Sequence, residues 1–106
     1  MLPKKKRITK DIFQTILKKG NIVSGSFFLF KYIKESHPRY VFVVSKKIAK
    51  TATKRNSLRR RGYNILKQYN LKNCAGIFFY KKEALNVSID ELKKDIGFVL
   101  ERIKSI

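Results

Sequence analysis

Apolar residues recur along this chain with two different periods. Ile8, Ile12, Phe13, Ile16 and Leu17 fall at helical spacing behind Thr9, a natural N-cap, and ahead of Lys18, Lys19 and Gly20, which close a helix. Ile22 to Val23, Phe27 to Ile33 and Tyr40 to Ser45 are rich in aromatic and β-branched residues, and His37-Pro38 marks a turn between the last two. These segments read as an antiparallel meander. A second helix is predicted from about Thr53 to Tyr69, with Leu58, Ile65, Leu66 and Tyr69 on one side together with Gly62. A glycine there costs about 1 kcal/mol against alanine, and close packing on the sheet is the reason to keep it. Ala75 to Tyr80 reads as a further strand. Ser88 and Glu91 form a capping-box pattern ahead of Leu92, Ile96, Val99, Leu100 and Ile103, which predicts a helix from about Ile89 to Lys104. The order α-β-β-β-α-β-α, without an internal repeat, makes a two-layer α+β sandwich the economical fold, a single domain over residues 1–106.

Composition supports a folded core: 43% of the 106 residues are hydrophobic and 12% aromatic. A domain of this size buries roughly 65% of the surface its unfolded chain exposes, so few unpaired polar insertions are tolerable. The longest apolar runs, FFLF and VFVV, are far too short for a membrane span, and KKKR near the start is followed by no apolar signal core. A cytosolic (cytoplasmic) chain is expected. Its one cysteine, Cys74, makes neither an internal disulfide nor a zinc site.

Charge changes the picture most. The formal net charge is +19, and it is regional: residues 1–82 hold 22 Lys/Arg against Asp11 and Glu35, whereas residues 83–106 hold four Lys/Arg and five acids. Such a field gathers polyanions, and nucleic acid is the abundant polyanion of the cytosol. An anionic membrane surface would instead want an amphipathic helix standing outside a compact core.

The stretch from Ser45 to Tyr69, SKKIAKTATKRNSLRRRGYNILKQY, concentrates this chemistry. With Leu58 at zero on a helical wheel, Leu58, Gly62, Ile65 and Tyr69 fall within about 40° of it, and Asn56, Arg60, Tyr63 and Lys67 between about 140° and 200°. One face is core and the other cationic. Arg59 borders the outer face, while Arg55 and Arg61 flank the apolar stripe and reach around it by snorkelling. Arginine's planar fork suits phosphate oxygens, asparagine reads a base edge or ribose hydroxyl, and tyrosine stacks. The helix N-terminus adds partial positive charge beside Lys50 and Lys54. A merely solvated helix interleaves signs, but five Lys/Arg stand between Lys54 and Arg61 with no acid among them.

Taken in order, LPKKKRI (Leu2 to Ile8), the helix containing Phe13 and ending at Gly20, SKK after a strand (Ser45 to Lys47) and KRNSLRRR (Lys54 to Arg61) resemble the bacterial ribonuclease P protein component over nearly the whole chain. The resemblance implies a partner, the catalytic ribonuclease P RNA, and a second, precursor tRNA, whose 5′ leader the particle removes by Mg²⁺-dependent hydrolysis. It implies that the RNA performs the chemistry, with Mg²⁺ held mainly by RNA, no metal site or catalytic residue on the protein, and no obligate protein partner. It implies a left-handed β-α-β crossover through the Arg-Asn helix. It also implies a catalytic-RNA surface of Lys46, Lys47, Lys50, Lys54, Arg55, Asn56, Arg59, Arg60 and Lys67, and a leader cleft of Phe13, Lys31 and Tyr32. The match has departures: Ser57 stands for a basic third residue, Arg61 and Gly62 for an apolar pair, and Tyr63-Asn64 for the common Arg-Glu. Leu17 and Lys31 stand where aromatics are usual.

Other constellations are poor. Protein catalysis would want paired carboxylates or a histidine beside a second acid or base, and the first 82 residues offer only Asp11, Glu35 and His37. His37 next to Pro38 reads as a loop residue. Asp90, Glu91 and Asp95 could bind a metal weakly, but capping and the helix dipole explain the first two. About half of the strand phenylalanines should be core, and the rest face a concave sheet surface. A structural ribosomal protein with a similar βαβ fold explains the charge but not the ordered motifs, and a DNA-binding helical module lacks a second helix adjacent in sequence.

Overall fold

The computed structural model describes residues 8–103. Leu2 to Arg7 of the opening motif and the Lys104 end of the last helix lie outside the described residues. The elements are α1 (Lys10–Lys19), β1 (Asn21–Ser24), β2 (Phe28–Lys34), β3 (Arg39–Val43), α2 (Ala52–Leu66), β4 (Cys74–Tyr80), a 3₁₀ turn at Lys82–Asn86 and α3 (Ile89–Arg102). Capping chemistry sets the helix starts, since the hydroxyls of Thr9, Thr51 and Ser88 accept the backbone N–H of Ile12, Lys54 and Glu91. Helix α2 therefore starts one residue before the sequence pattern suggests. It ends at Leu66, and Tyr69 lies in the turn that follows.

The strands form one mixed sheet in the order β1-β2-β4-β3. This corrects the meander: β1 and β2 do pair antiparallel, but β4 enters between β2 and β3, antiparallel to the first and parallel to the second. The reason is burial. CAGIFFY is apolar at nearly every position, and six of its seven residues are buried, so it takes the place covered on both faces. β3, α2 and β4 thus form a parallel βαβ unit.

The two faces carry separate cores. On one, Phe28, Phe30 and Tyr32 of β2, Tyr40 and Phe42 of β3, and Phe78 and Tyr80 of β4 pack beneath Leu58, Ile65 and Leu66 of α2 and Leu92, Ile96 and Val99 of α3. Its rings interlock, Phe42 stacking on Phe78 at 4.8 Å and Phe28 meeting Tyr80 edge-on at 4.6 Å. On the other, Ile16 of α1 sits on Ala75 and Ile77, flanked by Ile12, Phe13, Val41, Val43 and Phe79. The α+β class and element order hold, but α1 adds a partial third layer to the expected two. A one-sided helix of ten residues suffices because it covers only the middle of the sheet.

Candidate nucleic-acid interface

Two surfaces flank this frame. The first is the side of α2 turned from the sheet. Leu58, Gly62, Ile65 and Leu66 are buried, and Lys54, Asn56, Ser57, Arg60, Asn64 and Lys67 are exposed. Asn56 Oδ1 accepts a hydrogen bond from Arg59 Nη2, which fixes the guanidinium along the helix. Asn56, Arg59, Arg60, Tyr63, Asn64 and Lys67 together line a shallow hollow of about 290 Å³.

Lys46, Lys47 and Lys50 are all exposed on the loop that leads from β3 into α2. The backbone N–H groups of Ile48 and Ala49 both donate to Ser45 O at 3.1 Å, giving the loop a compact turn. Arg55 holds it to the helix: Nη1 donates to Ala49 O at 2.9 Å and to Lys50 O at 3.0 Å. Part of the Arg55 fork is therefore committed to positioning the three lysines. Eight of the nine residues expected on this surface, Arg55 apart, carry side chains with no such tie to the loop, and the loop and outer helix face adjoin.

Tyr63 departs from the wheel. It is half-buried, its ring meets Phe42 edge-on at 5.0 Å, and its hydroxyl accepts the Phe42 backbone N–H at 3.3 Å. The wheel placed it outside because it was centred on Leu58. The buried stripe is centred nearer Gly62, and the long Tyr63 side chain reaches back from its margin to Phe42 on the edge strand β3.

The second surface is the sheet face beside α1. Cross-strand register aligns Lys31, Ile77 and Val41 in one row and Leu29, Phe79 and Val43 in the next. Phe13 stands over this floor from α1, half-buried, and Lys31, Val41, Val43 and Phe79 are half-exposed. Phe13 and Lys31 thus share the face expected of them. Tyr32 does not: it is 4% exposed and stacks on Phe30 at 5.5 Å within the core under α2 and α3. The correction follows from strand alternation, which sends neighbours Lys31 and Tyr32 to opposite faces. Phe79, Val41 and Val43 are the floor residues that sequence reasoning did not single out. Alternation along FFY, once β4 is known to be central, identifies Phe79.

The acidic helix offers no metal site at Asp95. Its carboxylate is buried and accepts the backbone N–H groups of Ser26 at 2.8 Å, Phe27 at 2.9 Å and Phe28 at 3.1 Å, tying α3 to the β1–β2 hairpin. Gly25 leaves room for it, as a Cβ there would meet both carboxylate oxygens at 2.6 Å. Among the described residues no three His, Cys, Asp or Glu side chains come together as a metal cage. His37 is exposed in the β2–β3 turn. No described helix is long and apolar enough to cross a membrane.

Comparison with known proteins decides between RNA-binding frames. The ribonuclease P family model matches residues 2–104. The chain belongs to the ribonuclease P protein family. Its fold is similar to that of the Staphylococcus aureus RNase P protein, with a TM-score of 0.81 and 25% identity over 93% of this chain and 95% of that one. It is equally similar in fold to the Thermotoga maritima RNase P protein, with a TM-score of 0.82 and 24% identity over 93% and 98%. A mutant S. aureus RNase P protein described as defective in mRNA degradation gives 0.81 and 26% over 92% and 87%. Among curated protein sequences, none matches the chain significantly. The ribonuclease P proteins share the order α-β-β-β-α-β-α and the open four-stranded sheet, and nothing favours the ribosomal alternative.

Proposed function

We propose that this chain is the protein subunit that binds ribonuclease P RNA through the outer face of α2 and the Lys46–Lys50 loop, and the 5′ leader of precursor tRNA through the α1–sheet cleft. The observation that carries this reading is the segregation of charge from core on α2 within a chain of the ribonuclease P family. Cations on one rigid face neutralise phosphates and release their counterions, and the fixed Asn56–Arg59 pair adds directional donors. The cleft combines Phe13 and Phe79 with the Lys31 ammonium, which suits an unpaired strand of any sequence.

In this reading the protein performs no proton transfer or nucleophilic step. Its contribution is to hold RNA strands together against their own repulsion, and the RNA supplies catalysis, with Mg²⁺ held by RNA. A ribosomal role is set aside because the motif order and the family match coincide over the same residues. The test is the RNA that co-purifies with the chain from its own cells. Ribonuclease P RNA should be enriched over ribosomal RNA, and enrichment of ribosomal RNA alone would overturn the assignment.

A further inference from the structure

Beyond the end of α2 lies a second hollow, of about 330 Å³, lined by Pro38, Tyr63, Leu66, Tyr69, Asn70 and Leu71, with Lys67 at its rim. It shares Tyr63 and Lys67 with the hollow on the cationic face, so the two adjoin. Its aromatic walls are fixed in place. The Tyr63 hydroxyl holds the Phe42 N–H, and the Tyr69 hydroxyl donates to Lys93 O at 2.9 Å on α3. Its apolar side is Leu66, Leu71 and Pro38, and Asn70 brings an exposed amide to the edge. An apolar slot with pinned aromatic walls, an amide and a cation at the mouth matches a nucleobase carrying its phosphate. Neither a membrane nor an acidic peptide needs two anchored tyrosines beside a cation.

We infer that this notch takes one unpaired base of the RNA that lies along α2, stacked against Tyr69 and Tyr63, with Lys67 on the adjoining phosphate. This rests on the proposed function and deepens it, assigning a base-reading point to a surface otherwise made of phosphate contacts. Tyr63 and Tyr69 are held before any RNA arrives, so little ordering opposes the stacking. The Asn70 amide offers both donor and acceptor to a base edge.

The test uses the intact chain and two probes of equal length and charge, a short unpaired oligoadenylate and its abasic counterpart, with backbone amide signals followed by NMR. The oligoadenylate should shift signals at residues 69–71 and at Arg60 and Lys67, and the abasic strand only those at Arg60 and Lys67. Tyr69→Leu should weaken oligoadenylate binding about fivefold or more while leaving abasic binding unchanged. Tyr69→Phe, which keeps the ring, should stay within twofold of the parent. The remaining amide signals report whether either variant stays folded. Equal shifts at 69–71 from both probes, or none there from either, would overturn the notch while leaving the α2 surface intact, and the second result would leave the hollow to an apolar protein side chain. Absence of any shift along α2 would overturn both the notch and the RNA-binding surface.

Discussion

Gly62 of α2 lies against the ring of Phe42 on β3, so close that a Cβ at position 62 would stand 2.7 Å from Cδ1 and Cε1. Phe42 is 1% exposed and stacked on Phe78, so its ring has no room to withdraw. The glycine thereby brings the helix backbone down onto an edge strand, with Tyr80 donating to Leu58 O at 2.5 Å from the next strand over. That seating turns Asn56, Arg60, Asn64 and Lys67 away from the sheet and makes one rigid cationic face of them.

The two sides of α2 should respond to substitution in opposite ways. Leu58→Ala should cost about 2–5 kcal/mol of stability through a cavity. Gly62→Ala should lose stability as well, because overpacking of about 1–3 kcal/mol at so short a contact exceeds the alanine's gain in helix propensity. Arg60→Ala and Lys67→Ala should leave the unfolding midpoint unchanged, weaken RNA binding, and flatten log K against log[salt] by about one unit per lost phosphate contact. Denaturant unfolding and RNA titration across a salt series measure both. Unfolding by Arg60→Ala beside a neutral Leu58→Ala would invert the assignment of faces.

The proposed leader cleft should separate precursor from mature tRNA. Phe13→Ala, Lys31→Ala and Phe79→Ala should each reduce the preference of the assembled particle for precursor, with affinity for mature tRNA nearly unchanged. Because the proposed cleft draws on the Lys31 charge, that preference should shrink steeply as salt rises. Tyr32→Ala should instead destabilise the fold, since the ring is core. Competition binding with the two tRNAs is the measurement, and equal losses for both would remove these residues from the cleft.

Stability should fall on the alkaline side. Burial pushes the Tyr40 and Tyr80 phenols upward and also raises the Cys74 thiol, outweighing its hydrogen bond to Tyr40 and the nearby Lys72 charge. The Cys74 thiol donates to the Tyr40 hydroxyl at 3.2 Å, and that hydroxyl donates to Lys72 O at 2.9 Å. In the unfolded chain the thiol ionises near pH ~8.5 and the phenols near ~10. A raised folded-state value contributes stability in full below those points and loses it above them, the thiol first. Denaturant midpoints should hold to about pH 8 and fall through pH 9–11, and Cys74→Ala should flatten the first part of that fall. A midpoint that rises across this range would contradict the account.

The helices were legible because their signals are local. Thr9 and Ser88 cap the helices expected of them, and the Leu58, Gly62 and Ile65 stripe is buried. Strand order was not, since the place of β4 depends on what covers each face, and pairwise turn chemistry says only that β2 and β3 run antiparallel. The cationic face could be read from the wheel, apart from Tyr63, whose ring and hydroxyl reach back to Phe42 on β3. Two residues changed roles through contacts distant in sequence or geometry: Asp95 bonds amides 67 to 69 positions away, and Arg55 spends part of its guanidinium on the lysine loop. In the sheet, alternation alone separates Lys31 from Tyr32, so the cleft was half legible.

The account rests on one claim, that this chain assists an RNA catalyst and does not cleave by itself. The direct measurement is the rate of 5′-leader removal from precursor tRNA at low Mg²⁺ by bacterial ribonuclease P RNA alone, by the protein alone, and by the two together. The account predicts little cleavage by either component and restored cleavage by the mixture, because the cationic protein offsets the phosphate repulsion that scarce Mg²⁺ leaves unscreened. Robust cleavage by the RNA-free protein, or no gain when it joins the RNA, would contradict it.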